Sequence, residues 1–251
     1  MIKKKSITIA WLYPDLMNTY GDRGNIICLK KRCEWRKIRC EVKELNVGFD
    51  LSELKKADFI FMGGAQDRQQ KIVSADLFKK AKELKKLIDA GKPGLYICGA
   101  YQLLGEYYKE ADGTTIKGLG IVDLYTENPG MNTKRFIGNV AIRSSITEEI
   151  LIGFENHGGR TYLGKSVNPF GKVIAGYGNN GKDKTEGIIY KNIFGSYLHG
   201  PILPKNPQFT DYLIRLSLEE KYGTKFKLEP LNDNIENLAR VEIARRLKVK
   251  V

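Results

Sequence analysis

The sequence predicts an α/β fold in which helices cover a central, mostly parallel β-sheet. Three observations indicate this class. Short apolar runs alternate with amphipathic segments of helix length through the first 107 residues. The opening order of strand, helix and strand is that of a βαβ unit, which builds parallel sheets. Two later apolar runs, at 59–62 and 95–97, end directly in turns that contain glycine or cysteine, and α/β folds bind their ligands at the carboxyl ends of such strands.

The elements of this first part follow from the period of the apolar side chains. Helices need an apolar stripe at three- and four-residue spacing, whereas strands need alternating or continuous apolar residues. A loop at 15–25 is rich in turn-forming residues, and Gly91 and Pro93 end the helix that precedes the fourth strand. In chain order we predict strands at 6–13, 38–45, 59–62 and 95–97, and helices from about 25, at 75–90 and at 100–107.

Beyond residue 113, shorter apolar runs and frequent glycines predict a second group of strands. These lie at 122–125, 135–142, 150–154, 173–176, 187–190 and 194–198. Two helices, at about 208–222 and 234–247, close the chain. Because no linker-like segment divides the sequence, we expect one domain over residues 1–251.

The composition limits the partners and the location. The formal net charge is +13, but the lysines are spread over helical segments and no aromatic-basic motif accompanies them. A solvated basic face is therefore favoured over a nucleic-acid surface. No apolar run approaches the roughly 20 residues of a membrane-spanning helix, and we expect a cytoplasmic protein. The four cysteines form no CxxC pair and lie far from the two histidines, so no metal site is predicted.

Cys98 is the candidate nucleophile. It stands between the fourth predicted strand and the helix that follows, with Gly99 behind it. A sharp turn between strand and helix lifts a side chain clear of the sheet and aims backbone N–H groups at the space in front of it. The helix N-terminus also favours thiolate over thiol. A buried structural cysteine at the end of a strand is the alternative.

Two further features could complete a site around Cys98. Gly63 and Gly64 follow the third strand, where glycine lets backbone amides approach a ligand closely; a plain turn is the alternative. His199 ends the last predicted strand and is the better candidate for a proton carrier, because it too occupies a strand C-terminus. His157 lies in a glycine-rich turn and is interpreted as a histidine satisfied by local hydrogen bonds.

Together these motifs resemble the class I glutamine amidotransferases. Within that class the chain is similar to the CobB/CobQ-like branch, and most of all to the glutaminase subunits of lipid II isoglutaminyl synthases. The resemblance implies a layered, flavodoxin-like fold, and the joint order of its motifs is far more specific than any one of them. The motifs are YGDRGN at 20–25, GGAQD at 63–67, CGAYQ at 98–102, GFENHGGRT at 153–161 and YLHG at 197–200.

The resemblance implies hydrolysis of L-glutamine to L-glutamate and ammonia. Backbone N–H groups would hold the oxyanion, and an arginine would bind the α-carboxylate of the substrate. Arg135 is the arginine expected in this role, and the alternative is that it is an exposed arginine on a strand. The residues expected at the site are catalytic Cys98 and His199, and substrate-binding Arg135, Gly64, Gly99 and Gln102.

The sequence departs from the class pattern at three places. Tyr96 and Ala100 stand where the class usually has glycine on either side of the cysteine, and Pro201 stands where it commonly has a glutamate that orients the histidine. The chain is therefore expected to carry a Cys–His dyad. We hypothesise that the partner supplies the missing carboxylate, so that activity is switched on only in the complex.

The implied partner is a Mur-ligase-like subunit (MurT) that forms a heterodimer with this chain. It would use ATP and Mg²⁺ to activate the D-glutamate α-carboxylate of lipid II, and ammonia would then give D-isoglutamine during peptidoglycan synthesis. This chain has no GxxxxGK[ST] phosphate loop, so no cofactor is expected in it. The complex could hold the chain at the inner face of the membrane.

Three other interpretations stay open on the sequence alone. The same glutaminase chemistry could serve another acceptor, such as a cobyrinate. A different cysteine hydrolase of similar architecture, peptidase-like or deglycase-like, would turn over without glutamine. A non-catalytic binding subunit could retain the fold with an unreactive Cys98.

Overall fold

The computed structural model describes residues 5–147 and 149–251. The strands are β1 (Ser6–Leu12), β2 (Arg39–Leu45), β3 (Phe59–Met62), β4 (Gly94–Ile97), β5 (Tyr107–Lys109), β6 (Thr115–Lys117), β7 (Leu124–Glu127), β8 (Phe136–Ser144), β9 (Ile150–His157), β10 (Arg160–Leu163), β11 (Gly171–Ala175), β12 (Thr185–Glu186), β13 (Ile188–Tyr190) and β14 (Ile193–Ser196). The helices are α1 (Arg23–Trp35), α2 (Leu51–Lys55), α3 (Asp67–Phe78), α4 (Ala81–Asp89), α5 (Gly99–Leu104), α6 (Pro207–Tyr222) and α7 (Asn234–Arg246), with short 3-10 helices at Thr19–Gly21 and Leu203–Lys205.

A six-stranded sheet in the order β13-β14-β4-β3-β1-β2 forms the centre of the fold. All of its neighbouring strands are parallel except the β13–β14 pair. The strands β3 and β4 are buried along their whole length, as expected where both faces of a parallel sheet are covered. The predicted α/β class with a mostly parallel central sheet is confirmed.

Two four-stranded sheets contain most of the strands beyond residue 106. Their orders are β10-β7-β5-β6 and β12-β11-β8-β9, and nearly all of their pairs are antiparallel. The second of these sheets touches the central one beside the site, because Phe154 in β9 and His199 exchange backbone hydrogen bonds of 3.1 and 2.7 Å.

The predicted helix at 75–90 is wrong, because the structure has two helices there. The first, α3, begins at Asp67, and α4 begins at Ala81. The helical conformation is interrupted between them. The buried Lys80 ammonium there donates to the Asp76 carboxylate at 2.7 Å, and Asp76 also accepts a hydrogen bond of 2.9 Å from the Tyr13 hydroxyl. Neither glycine nor proline stands between the two helices, so the apolar period alone could not reveal the boundary.

The helix after Cys98 is shorter than the predicted 100–107, because Gly105 leaves the helix in an extended conformation and Tyr107 begins β5. A side chain at Gly105 would collide with Leu124. The sequence patterns did not predict several short or edge elements, namely α2, β5, β6, β10 and β12. None of the helices in the described residues combines the length and apolar character needed to cross a bilayer.

A buried ionic cluster fixes α1 against the C-terminal helices. The Arg32 guanidinium lies 2.7 Å from Asp211 in α6 and 2.6 Å from Asp233, which caps α7. Arg36 also binds Asp211. Loss of the guanidinium would leave two carboxylates with one fewer cation in a largely buried place, a change that typically destabilises by about 3–5 kcal/mol. The cluster therefore holds α1, whose N-terminus follows the loop between β1 and α1.

Candidate active site

Cys98 occupies a strained elbow between β4 and α5. Its backbone has φ 52° and ψ −113°, which a residue with a side chain adopts only when its surroundings impose it. Part of the constraint comes from β14, because the Cys98 N–H donates to the Ser196 carbonyl at 2.8 Å. The residue as a whole remains 9% exposed, and it lines a cavity.

His199 follows β14, the parallel neighbour of β4, and its side chain is fully buried. Cys98 and His199 therefore stand at the carboxyl ends of adjacent parallel strands, as predicted. A Cβ atom built on Gly64 would lie 2.8 Å from His199 Cε1 and 3.2 Å from Cys98 Cβ. Only glycine leaves the two side chains room to meet at that point.

The loop between β1 and α1 brings a carboxylate to His199. Asp22 is fully buried, its Oδ1 lies 3.4 Å from His199 Nδ1, and its Oδ2 accepts a 2.6 Å hydrogen bond from the Gly64 N–H. The expectation that this chain offers no carboxylate to the histidine is therefore wrong. Pro201 does occupy the place of the usual glutamate, but Asp22 reaches the imidazole from the other end of the chain. The YGDRGN motif contained this residue, yet no spacing could pair it with a histidine 177 positions away.

The first turn of α1, directly after this loop, packs against the turn after His199 at two points. The Asn25 carboxamide accepts a 3.0 Å hydrogen bond from the Leu203 N–H, and Gly24 lies so close to Pro201 that an added Cβ would collide with its ring. The Tyr20 ring, 44% exposed, lies edge-on to the imidazole with centroids 5.0 Å apart. The loop thus orients the histidine and shields it from solvent.

The environment of His199 favours the imidazolium form. Burial acts to lower its pKa, but the neighbouring Asp22 carboxylate and Cys98 outweigh burial and raise the pKa to about 10. The Nε2 atom has no hydrogen-bond partner among the described residues. The arrangement can therefore present a proton donor beside the cysteine at neutral pH.

We expect Asp22→Asn to slow turnover by about tenfold to a hundredfold, the usual range for a lost hydrogen bond to a charged group. It should also move the alkaline limb of kcat to lower pH. The Asp22 charge raises the His199 pKa, so without it the imidazolium loses its proton at lower pH and the proton donor disappears sooner. The pH dependence of kcat from neutral to alkaline conditions measures this shift. The exposed Asp15→Asn on the same loop is the matched control, and an alkaline limb unchanged by Asp22→Asn would contradict the coupling.

A polar cavity of about 290 Å³ opens in front of Cys98. Ligand pockets in proteins typically measure about 300–1,000 Å³, so this one suits a molecule of amino-acid size. Cys98, His199, Gln102 and Arg135 all line it. The structure thus brings four of the six predicted site residues to one cavity.

Arg135 and Gln102 differ in how far they are already paired. Within residues 5–147 and 149–251, the exposed Arg135 binds only the side chain and carbonyl of Asn156, through contacts of 3.1 Å. Gln102 is buried, and its carboxamide donates to the Tyr197 hydroxyl at 2.8 Å and accepts from Gln70 at 3.4 Å. Arg135 is free to meet a ligand, whereas the Gln102 side chain is largely engaged within the protein.

The two glycines predicted to donate to an oxyanion also differ. The Gly64 N–H is already donated to Asp22, so it is not available to a ligand in this structure. Gly99 is the first residue of α5, and an added Cβ there would collide with Gln70 and lie 3.3 Å from the Ala65 nitrogen. Among the described residues, neither Gly99 nor Ala65 has a backbone N–H that is donated to another carbonyl.

His157 lines the cavity but keeps the local bonds predicted for it. Its Nδ1 lies 2.8 Å from the Gly159 carbonyl, and its ring stacks on Tyr197 with centroids 3.5 Å apart. Burial lowers its pKa despite the nearby Glu155, which favours the neutral ring. Nothing in its sequence context distinguished this wall position from an ordinary turn. In the described residues there is no cluster of three or more metal-ligating side chains.

Comparisons with known proteins agree with this architecture. A model of the CobB/CobQ-like glutamine amidotransferase domain matches residues 8–207. The chain is 45% identical to the lipid II isoglutaminyl synthase (glutamine-hydrolyzing) subunit GatD of Staphylococcus aureus (strain N315), over 92% of this chain and 91% of that protein. It is 43% identical to the GatD subunit of Streptococcus pneumoniae (strain ATCC BAA-255 / R6), over 90% of this chain and 86% of that protein.

Among solved structures, a glutamine amidotransferase superposes with a TM-score of 0.57 at 13% identity, over 83% of this chain and 98% of its own. That likeness shows a shared fold. The domain match extends from β1 to the start of α6 and so includes every residue placed around the cavity. With the elbow, the histidine turn and two near full-length relatives, it shows that the chain belongs to the CobB/CobQ-like glutamine amidotransferase family.

Proposed function

We propose that this chain is the glutaminase subunit of an enzyme that amidates lipid II. It would release ammonia from L-glutamine, and a Mur-ligase-like subunit of the MurT type would add that ammonia to the D-glutamate α-carboxylate. The observation that carries the proposal is the convergence of Cys98 and His199 at one amino-acid-sized cavity, with the buried Asp22 carboxylate against the histidine. The identity to GatD subunits over nine-tenths of the chain supports the choice of acceptor.

The first step is attack of the Cys98 sulfur on the side-chain amide carbon of glutamine. A carbon–sulfur bond forms, and the carbonyl oxygen takes the negative charge of the tetrahedral intermediate. The N–H groups of Ala65 and Gly99 are the donors left for that oxygen, and each such donor is worth about a hundredfold or more in rate. Gly64 has a different role in this scheme, because its N–H fixes Asp22.

The second step is breakage of the carbon–nitrogen bond. The His199 imidazolium gives its proton to the leaving nitrogen, so that ammonia departs and a thioester with Cys98 remains. The neutral imidazole then takes a proton from water, which attacks the thioester and releases glutamate. Asp22 stabilises the imidazolium and holds the ring with Nδ1 toward the loop.

The acceptor chemistry belongs to the partner in this proposal. The chain has no GxxxxGK[ST] phosphate loop, so ATP and Mg²⁺ would bind the ligase subunit. Ammonia is a nucleophile only while it is unprotonated, and a docked partner with an enclosed path would keep it from bulk water.

The experiment is transfer of the amide nitrogen from ¹⁵N-amide glutamine. The chain with its ligase partner, lipid II and ATP should release glutamate and give isoglutaminyl lipid II that carries the label. In a second mixture that also contains cobyrinate, label in cobyrinate but not in lipid II would favour the other acceptor. No glutamate in either mixture would favour a binding subunit. Glutamate release by the isolated chain then shows whether Asp22 suffices for His199 or whether the partner contributes a further group.

A further inference from the structure

We propose that Asp67 binds the α-ammonium group of glutamine and so selects the free amino acid. This inference rests on the proposed glutaminase function and adds a specificity residue to it. The GGAQD motif includes Asp67, but the catalytic scheme uses only its Gly64 and Ala65.

Asp67 is an unpaired carboxylate in the wall of the Cys98 cavity. It is the first residue of α3 and is half-buried. Its Oδ1 accepts a 3.3 Å hydrogen bond from the Tyr108 hydroxyl. No lysine or arginine in the described residues forms an ion pair with it, although the structure has many such pairs elsewhere.

Arg135 is the matching cation on the same wall. Its Nε and Nη2 atoms bind Asn156, which is neutral, and no described carboxylate pairs with it. Its Nη1 lies 3.2 Å from where a Cβ of Gly158 would stand. The position of a Cβ on the next residue, Gly159, is 3.4 Å from the Tyr108 ring, whose hydroxyl binds Asp67.

The two charges therefore flank the short Gly158–Gly159 turn on the rim of one small cavity. Each has only neutral hydrogen-bond partners, so each keeps the capacity for an opposite charge. The α-carbon of glutamine carries an ammonium and a carboxylate side by side, and its side-chain amide can then point toward Cys98. A glutamine within a peptide has neither charge, and it would leave both protein groups partly desolvated and unpaired.

The test compares L-glutamine with glutaramate, which has the same carboxylate and amide but no α-amino group. Binding of both is measured on the inactive Cys98→Ala chain, and kcat and KM for glutamine are measured in the active complex. We expect Asp67→Asn to weaken glutamine binding by about tenfold to a hundredfold and to leave glutaramate binding unchanged. In the active complex, KM should rise while kcat stays within a few-fold.

Two controls separate recognition from a structural effect. Asp112→Asn removes the charge of an exposed aspartate in the β5–β6 turn, and it should change the binding of neither glutamine nor glutaramate. Tyr108→Phe removes the neutral partner of Asp67 but keeps the carboxylate, so discrimination between the two ligands should persist. Equal weakening of glutamine and glutaramate by Asp67→Asn, or no weakening of either, overturns the inference. A wild-type complex that releases no glutamate from glutamine would instead overturn the proposed function.

Discussion

Cys98→Ala should reduce glutamate release by at least about ten-thousandfold, because the thioester cannot form and only binding and oxyanion contacts remain. In the proposed scheme its side chain is the sulfur nucleophile, and it stands at the elbow between β4 and α5. The effect belongs to the chemical step, so glutamine should still bind. Steady-state glutamate release and glutamine binding on the same preparation test both statements.

His199→Ala and the double variant sharpen this prediction. Two groups that act as a unit are strongly non-additive, so the double variant should be about as slow as Cys98→Ala alone. Cys40→Ser is the matched control. Cys40 is a free cysteine in the edge strand β2, which β3 and β1 separate from β4 in the central sheet. A Cys98→Ala chain that keeps near wild-type turnover would refute the nucleophile assignment and would leave Cys98 as a structural thiol.

Gly64→Ala should lower kcat by about a hundredfold or more, although it adds only one methyl group. The new Cβ would lie 2.8 Å from His199 Cε1, 3.2 Å from Cys98 Cβ and 3.3 Å from Asp22 Oδ2. The neighbours must therefore separate, and a displacement of about 1 Å at reacting groups can cost a hundredfold in rate.

The measurement for Gly64→Ala is kcat together with thermal unfolding and the rate of Cys98 alkylation. We expect an unfolding temperature close to that of the wild type or lowered by a few degrees, with a changed alkylation rate that reports the displaced histidine. Loss of activity through global unfolding would show instead that Gly64 matters for stability. Full activity would mean that the three side chains do not need their observed spacing.

The parts of the site that sequence could predict are those tied to strand ends. Cys98 and His199 each follow a short buried run, and parallel strands place their carboxyl ends at one edge of the sheet. Their meeting therefore follows from local pattern and fold class together. Arg135 and Gln102 came from the family resemblance alone, and the structure places both in the cavity wall.

Asp22 shows where this reasoning fails. The sequence places it in a loop of turn formers, and its carboxylate meets His199 where the adjoining first turn of α1 packs on the turn at Pro201 and Leu203. Loop conformation of this kind depends on contacts distant in sequence, which periodicity does not encode. The boundary between α3 and α4 carries no sequence signal either, because neither glycine nor proline separates the two helices.

The hydrogen bonds between Phe154 and His199 mark the boundary between two sheets that contribute different residues to the site. Cys98 and His199 follow strands of the central sheet, whereas Asn156 and His157 lie in the β8–β9 ribbon and Arg135 directly precedes it. Substitutions in that ribbon can retune which small amide is held without disturbing the groups that break its bond.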